Sequence, residues 1–158
     1  MIRTVRRRRL EAKTDYKLRL ALLKSGKIRL VIRKTNRYIL VQMVRTEGAQ
    51  DKVLFGASSK MLLEKGWPKE KAGSLKSIPA SYLTGLMLGR IAGEKVTEAV
   101  LDIGMHRNAP KSRIYAALKG VIDAGIKVSH SPEILPSPEL MSKNKSFSGI
   151  FDKLREKI

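Results

Sequence analysis

Apolar and polar positions alternate cleanly between Lys27 and Arg33. Ile28, Leu30 and Ile32 fall on one side, and Arg29, Val31 and Arg33 on the other. This is the period-two pattern of a strand. A second β-rich run covers Tyr38 to Arg45, and the intervening Lys34-Thr35-Asn36-Arg37 predicts a hairpin. Asn36 suits the left-handed backbone such turns often use. Gly48 to Asp51 predict the next turn and Val53 to Ala57 a third strand, which completes an antiparallel meander.

Helical spacing takes over further on. Pro79 to Gly93 predict a helix with Pro79 in its first turn. Gly85 and Gly89 give that helix a smooth face for close packing on a sheet. Glu98 to Ile103 predict a short buried strand. Ser112 to Ala124 predict an amphipathic helix carrying Ile114, Leu118, Val121 and Ile122, and Ile126 to Val128 a last short strand. Strand, helix, strand implies a right-handed crossover between parallel strands. The expected fold class is therefore α/β, a mixed five-stranded sheet with helices packed on it. Trp67 reads as a packing residue. Residues 129–145 carry Pro132, Pro136 and Pro138 and read as a loop wrapping the domain, and Ile150, Phe151 and Leu154 predict a short C-terminal helix.

Upstream of the first strand, Thr14 predicts an N-cap, Asp15 a first turn and Lys24 a last turn before Ser25-Gly26. The helix spans roughly 15–24, with Leu18, Ala21 and Leu22 as an apolar stripe. Residues 1–13 predict an extended arm. The chain thus divides into a basic arm and helix (1–26), a mixed-sheet domain (27–128) and a proline-rich wrap with a short helix (129–158).

Composition adds a partner to this picture. The 158 residues include 33 Lys and Arg against 14 Asp and Glu, a net charge of +19. Residues 1–37 alone hold 14 basic and two acidic groups. Such an excess points to nucleic acid. The adjacent guanidinium groups of Arg6, Arg7, Arg8 and Arg9, with Arg3 before them, repel one another unless a polyanion lies against them. Basic residues continue along the helix and the first strand, which argues for a docking surface rather than a solvated tail.

Other chemistries find little support. There is no cysteine, so disulfides and thiolate metal sites are excluded. His106 and His130 lie on separate loops, and no metal or other cofactor is expected. Lys17, Arg19 and Lys24 interrupt any signal-peptide core, and the longest apolar stretch, Ile78 to Ala92, is too short to span a bilayer. A mixed five-stranded sheet suggests ribonuclease-H-like nucleases by analogy, but Asp102 ends its strand without acidic companions. It reads as a loop cap or a partner for a basic residue. Tyr16 and Tyr38, flanked by basic residues, suit either stacking on an unpaired base or core packing. Arg107, Lys111 and Arg113 surround a predicted helix N-terminus, where anions are favoured, and form a second candidate RNA contact.

The order of several motifs carries a resemblance. Arg6-Arg-Arg-Arg9 with Lys13-Thr-Asp-Tyr16, Leu22-Leu-Lys-Ser-Gly-Lys27-Ile-Arg-Leu-Val31 and Arg33-Lys-Thr-Asn36 come first. Gly66-Trp67, Pro79 to Leu86, Glu98 to Gly104 and Ala124-Gly125 follow. Together they closely resemble the archaeal large-subunit ribosomal protein eighteen family, whose eukaryotic counterpart is large-subunit protein five. The resemblance implies a three-layer ribonuclease-H-like fold without catalytic activity, in the cytoplasmic ribosome. It implies binding to 5S rRNA in the central protuberance, with contacts to the large-subunit rRNA and to the neighbouring 5S-binding ribosomal protein. The residues it marks as contacts are Arg6 to Arg9, Lys13, Thr14, Tyr16, Arg19, Ser25, Lys27, Arg29, Arg33, Thr35, Asn36 and Arg37. The chain departs from the family at its end, where the long C-terminal extensions known in some members are missing, and the contacts made by those extensions are not carried over. A general nucleic-acid chaperone is the alternative reading.

Overall fold

A computed structural model describes residues 4–48, 50–138, 140 and 145–158. In chain order its helices are α1 (Arg7–Leu10), α2 (Tyr16–Lys24), α3 (Leu62–Lys65), α4 (Ile78–Ala92), α5 (Arg113–Asp123) and α6 (Lys145–Lys157). The strands are β1 (Arg29–Lys34), β2 (Ile39–Glu47), β3 (Gln50–Ser58), β4 (Glu98–Asp102) and β5 (Lys127–Val128). They form one sheet in the order β3-β2-β1-β4-β5. The first three make the expected antiparallel meander, and β4 and β5 add in parallel. Gln50 and Asp51 already belong to β3, with Glu47 pairing to Gln50, so the second turn is tighter than the sequence suggests.

Alternation in β1 sorts its side chains as expected. Leu30 and Ile32 are fully buried and lie opposite Met43 and Val41 of β2. On this face they meet Met87 and Leu88 of α4, and Ile114, Leu118 and Val121 of α5, in the main apolar core. A second cluster lies along α4, where Trp67, Leu75, Tyr82, Leu83 and Leu86 meet Phe151 and Leu154 of α6. Trp67 is 2% exposed, as its packing role requires. The short helical turns between residues 59 and 77, which the apolar pattern leaves unassigned, deliver Leu62, Trp67 and Leu75 to this cluster.

The smooth face of α4 packs on a helix, not on the sheet. A Cβ on Gly85 would lie 2.0 Å from the carbonyl oxygen of Ala117, and one on Gly120 would lie 2.1 Å from that of Tyr82. The backbones of α4 and α5 therefore touch at glycines contributed by both helices.

The N-terminal region departs from expectation in three ways. The arm is not wholly extended, because Arg7–Leu10 close one helical turn. Asp15, not Thr14, caps α2: its Oδ1 accepts from Lys17 N at 2.9 Å and Leu18 N at 3.1 Å. The stripe of Leu18, Ala21 and Leu22 is not buried, and no residue of α2 is. Asn36 also does not take a left-handed backbone; among the described non-glycine residues only Ala12 and Lys111 have positive φ. The hairpin closes instead through Thr35, whose N–H donates to the Tyr38 carbonyl at 2.9 Å and whose hydroxyl accepts from Tyr38 N. The C-terminal helix, at 13 residues, is longer than predicted.

Candidate nucleic-acid interface

The arm folds back toward α2. Arg8 Nε donates to Thr14 Oγ1 at 2.9 Å, which ties the α1 turn to the residue before the α2 cap. The Arg6 guanidinium lies 4.7 Å from the centroid of the Tyr16 ring, within cation–π range. Arg6, Arg9, Tyr16, Lys17, Arg19 and Leu20 line an open groove of about 740 Å³ between arm and helix. Arg7 pairs with Glu11 at 3.6 Å and is 85% exposed, and Lys13 pairs with Glu11 at 2.7 Å. Exposed pairs of this kind are weak and give way readily to phosphate. Arg3 lies outside the described residues.

The sheet face beneath α2 is polar and closely paired. Arg29 is 3% exposed. Its Nη1 donates to Asp102 Oδ2 at 2.9 Å, and its Nη2 reaches Asp51 Oδ1 at 2.7 Å and Thr46 Oγ1 at 3.2 Å. Arg33 holds Asp102 Oδ1 at 2.9 Å and the Asp102 carbonyl at 2.6 Å. Arg19 of α2 donates to Asp51 Oδ2 at 2.8 Å. Arg29, among the contacts the sequence proposes, is thus buried with its guanidinium committed to two carboxylates. Arg19 and Arg33 are partly exposed and bound to acids. Burial pushes the Asp51 carboxyl up, but hydrogen bonds from Arg19, Thr46 and Arg29 more than reverse this and hold it at about 2. Asp102 also accepts from Gly104 N at 2.9 Å, so it is both the loop cap and the basic-residue partner the sequence suggests. Among the described residues, no group of three or more His, Asp or Glu stands close enough to share a metal ion.

The remaining candidates scatter around this centre. Ser25 Oγ donates to the Leu22 carbonyl at 2.6 Å and closes α2, and Lys27 pairs with Glu98. Asn36 and Arg37 are exposed in the hairpin turn. Tyr38 is half-buried against the second core cluster, which fits its packing alternative. Arg107 and Arg113 line a separate concavity with Lys34, His106 and Ser112 at the start of α5. There, Lys34 N donates to His106 Nε2 at 3.0 Å. Burial, with Arg33 and Lys34 nearby, lowers the His106 pKa and keeps the ring a neutral acceptor. Lys111 is exposed, with φ +58, and its N–H is anchored to the Ile134 carbonyl.

Lys17 and Lys34, left out of the sequence-derived contacts, face the two concavities. Their place beside Tyr16 and at the end of the first strand was the available signal. Asp51 carried no such signal, because its basic partners lie 22 and 32 residues away, in β1 and α2.

The arrangement offers exposed arginines around a half-buried aromatic ring, which suits holding a polyanion. No described helix is long and apolar enough to cross a membrane. A family model described as "Ribosomal large subunit proteins 60S L5, and 50S L18" matches residues 2–98 and 92–131. The chain is 50% identical to large ribosomal subunit protein uL18 of Korarchaeum cryptofilum over 95% of its length and 75% of the relative's. It is 41% identical to the uL18 of Methanothrix thermoacetophila, covering 96% and 92% of the two chains, and 46% identical to that of Aeropyrum pernix, covering 84% and 61%. The chain belongs to the uL18 family of large ribosomal subunit proteins, structural and non-enzymatic components of the ribosome.

Proposed function

We propose that this chain binds 5S rRNA and joins it to the large-subunit rRNA in the central protuberance, beside the neighbouring 5S-binding ribosomal protein. The observation that carries this reading is the groove between arm and α2, where Arg6, Arg9 and Lys17 surround the half-buried ring of Tyr16. Guanidinium groups match phosphate oxygens bidentately, and an aromatic ring offers a platform for an unpaired base. Arg7, Arg8, Lys13, Thr14, Asn36 and Arg37 extend the surface, Arg3 would lengthen it, and Arg107, Lys111 and Arg113 form a second contact. The residues of the buried network support this surface from below.

Competition binding tests the reading. Labelled 5S rRNA should resist displacement by unrelated RNA or duplex DNA at matched salt. Equal displacement by all three would instead indicate the general chaperone.

A further inference from the structure

We infer that Asp51 is a positioning residue for the RNA-binding helix, holding α2 at a set angle over the sheet through Arg19. This rests on the RNA-binding reading above.

Helix α2 has nine residues and buries none of them, and its Leu18 and Leu20 are 40% and 55% exposed. A helix so short is marginal without tertiary support, and with Leu22 and Leu23 no more than half-buried, apolar burial supplies little of it here. Arg19 supplies a link instead, through its 2.8 Å bond to Asp51. Asp51 is itself fixed. Thr46, its register partner across the hairpin, donates to Oδ1 at 2.8 Å, and Arg29 holds the same oxygen at 2.7 Å. Arg29 is locked in turn by Asp102 of β4. A chain of charged hydrogen bonds thus runs from α2 through β3 and β1 to β4.

An acid set within a strongly basic surface repels RNA, so its loss by electrostatics alone should tighten binding. Preorganising α2 acts in the opposite direction, because a helix already held in place loses less freedom on binding. The two effects therefore predict opposite signs for one substitution.

Asp51→Asn keeps the shape and removes the charge. NMR amide exchange on the RNA-free protein should show α2 loosened by more than the sheet amides, while native Trp67 emission stays as it was. Affinity for 5S rRNA should fall about tenfold, although net charge has risen, and Asp51→Glu should restore part of it. Unchanged α2 exchange, or tighter RNA binding, overturns the inference. If Trp67 emission shows that Asp51→Asn does not fold, Arg19→Lys decides, since it keeps the charge but loses the forked geometry. Loosening with weaker binding then supports the inference, and unchanged behaviour overturns it. If arm substitutions weaken binding and Asp51→Asn does not, the positioning role fails. If neither changes rRNA affinity although α2 loosens, it is the RNA-binding reading that fails.

Discussion

Asp51 accepts from three donors, and its titration follows. Its carboxyl ionises at about 2 in the fold against an ordinary value of 3.8. A folded value below the unfolded one adds stability that is complete above the unfolded value and is lost as pH falls through the folded one. The stability difference between the parent and Asp51→Asn should therefore be full above about pH 5 and shrink steadily toward pH 2. Urea unfolding at stepped pH measures it. Tyr16 makes a different demand. Its ring lies beneath Arg6 and within the groove, so Tyr16→Ala should weaken rRNA binding by about 1–3 kcal/mol. Tyr16→Phe, which keeps the ring, should bind nearly as the parent does. Quantitative gel-shift titration distinguishes the two.

The pair α4 and α5 depends on glycine. A Cβ at position 85 would meet a backbone oxygen, which cannot swing aside as a side chain can. Gly85→Ala should force the helices apart and destabilise the protein by about 1–3 kcal/mol or more, read as a lower urea midpoint with Trp67 fluorescence as the probe. The same seam shows how far local pattern reaches. Period and turn chemistry make both helices and every strand legible, because each element's apolar spacing is local. Which surface a smooth helix face meets is a tertiary choice, and the glycines at 85 and 89 say only that something comes close. The turns at 59–77 lack any period and are recognisable only by the core they complete.

Charge is distributed over the whole molecule as a gradient, densest toward the N-terminus. Replacing Arg6, Arg7, Arg8 and Arg9 by Ala should weaken 5S rRNA binding and flatten its salt dependence. Each lost phosphate contact changes the log–log slope by roughly 0.7–0.9; binding measured across a salt series reads the slope directly. The exposed basic run through the arm, α2 and the hairpin turn was legible because basic residues follow one another along the chain. The arginine alternation in β1 was misleading. A polar strand face looks solvent-facing until acids from distant strands arrive to neutralise it, as Asp51 and Asp102 do for Arg29. That separation has a consequence in time. Arg29 precedes Asp102 by 73 residues, a gap of roughly 4–15 s at ordinary rates of synthesis. Throughout it the emerging N-terminal segment has most of its positive charge and lacks one of the two acids that neutralise its buried arginine. The nascent chain thus presents its most RNA-attracting segment before β4, and with it the finished sheet, can form.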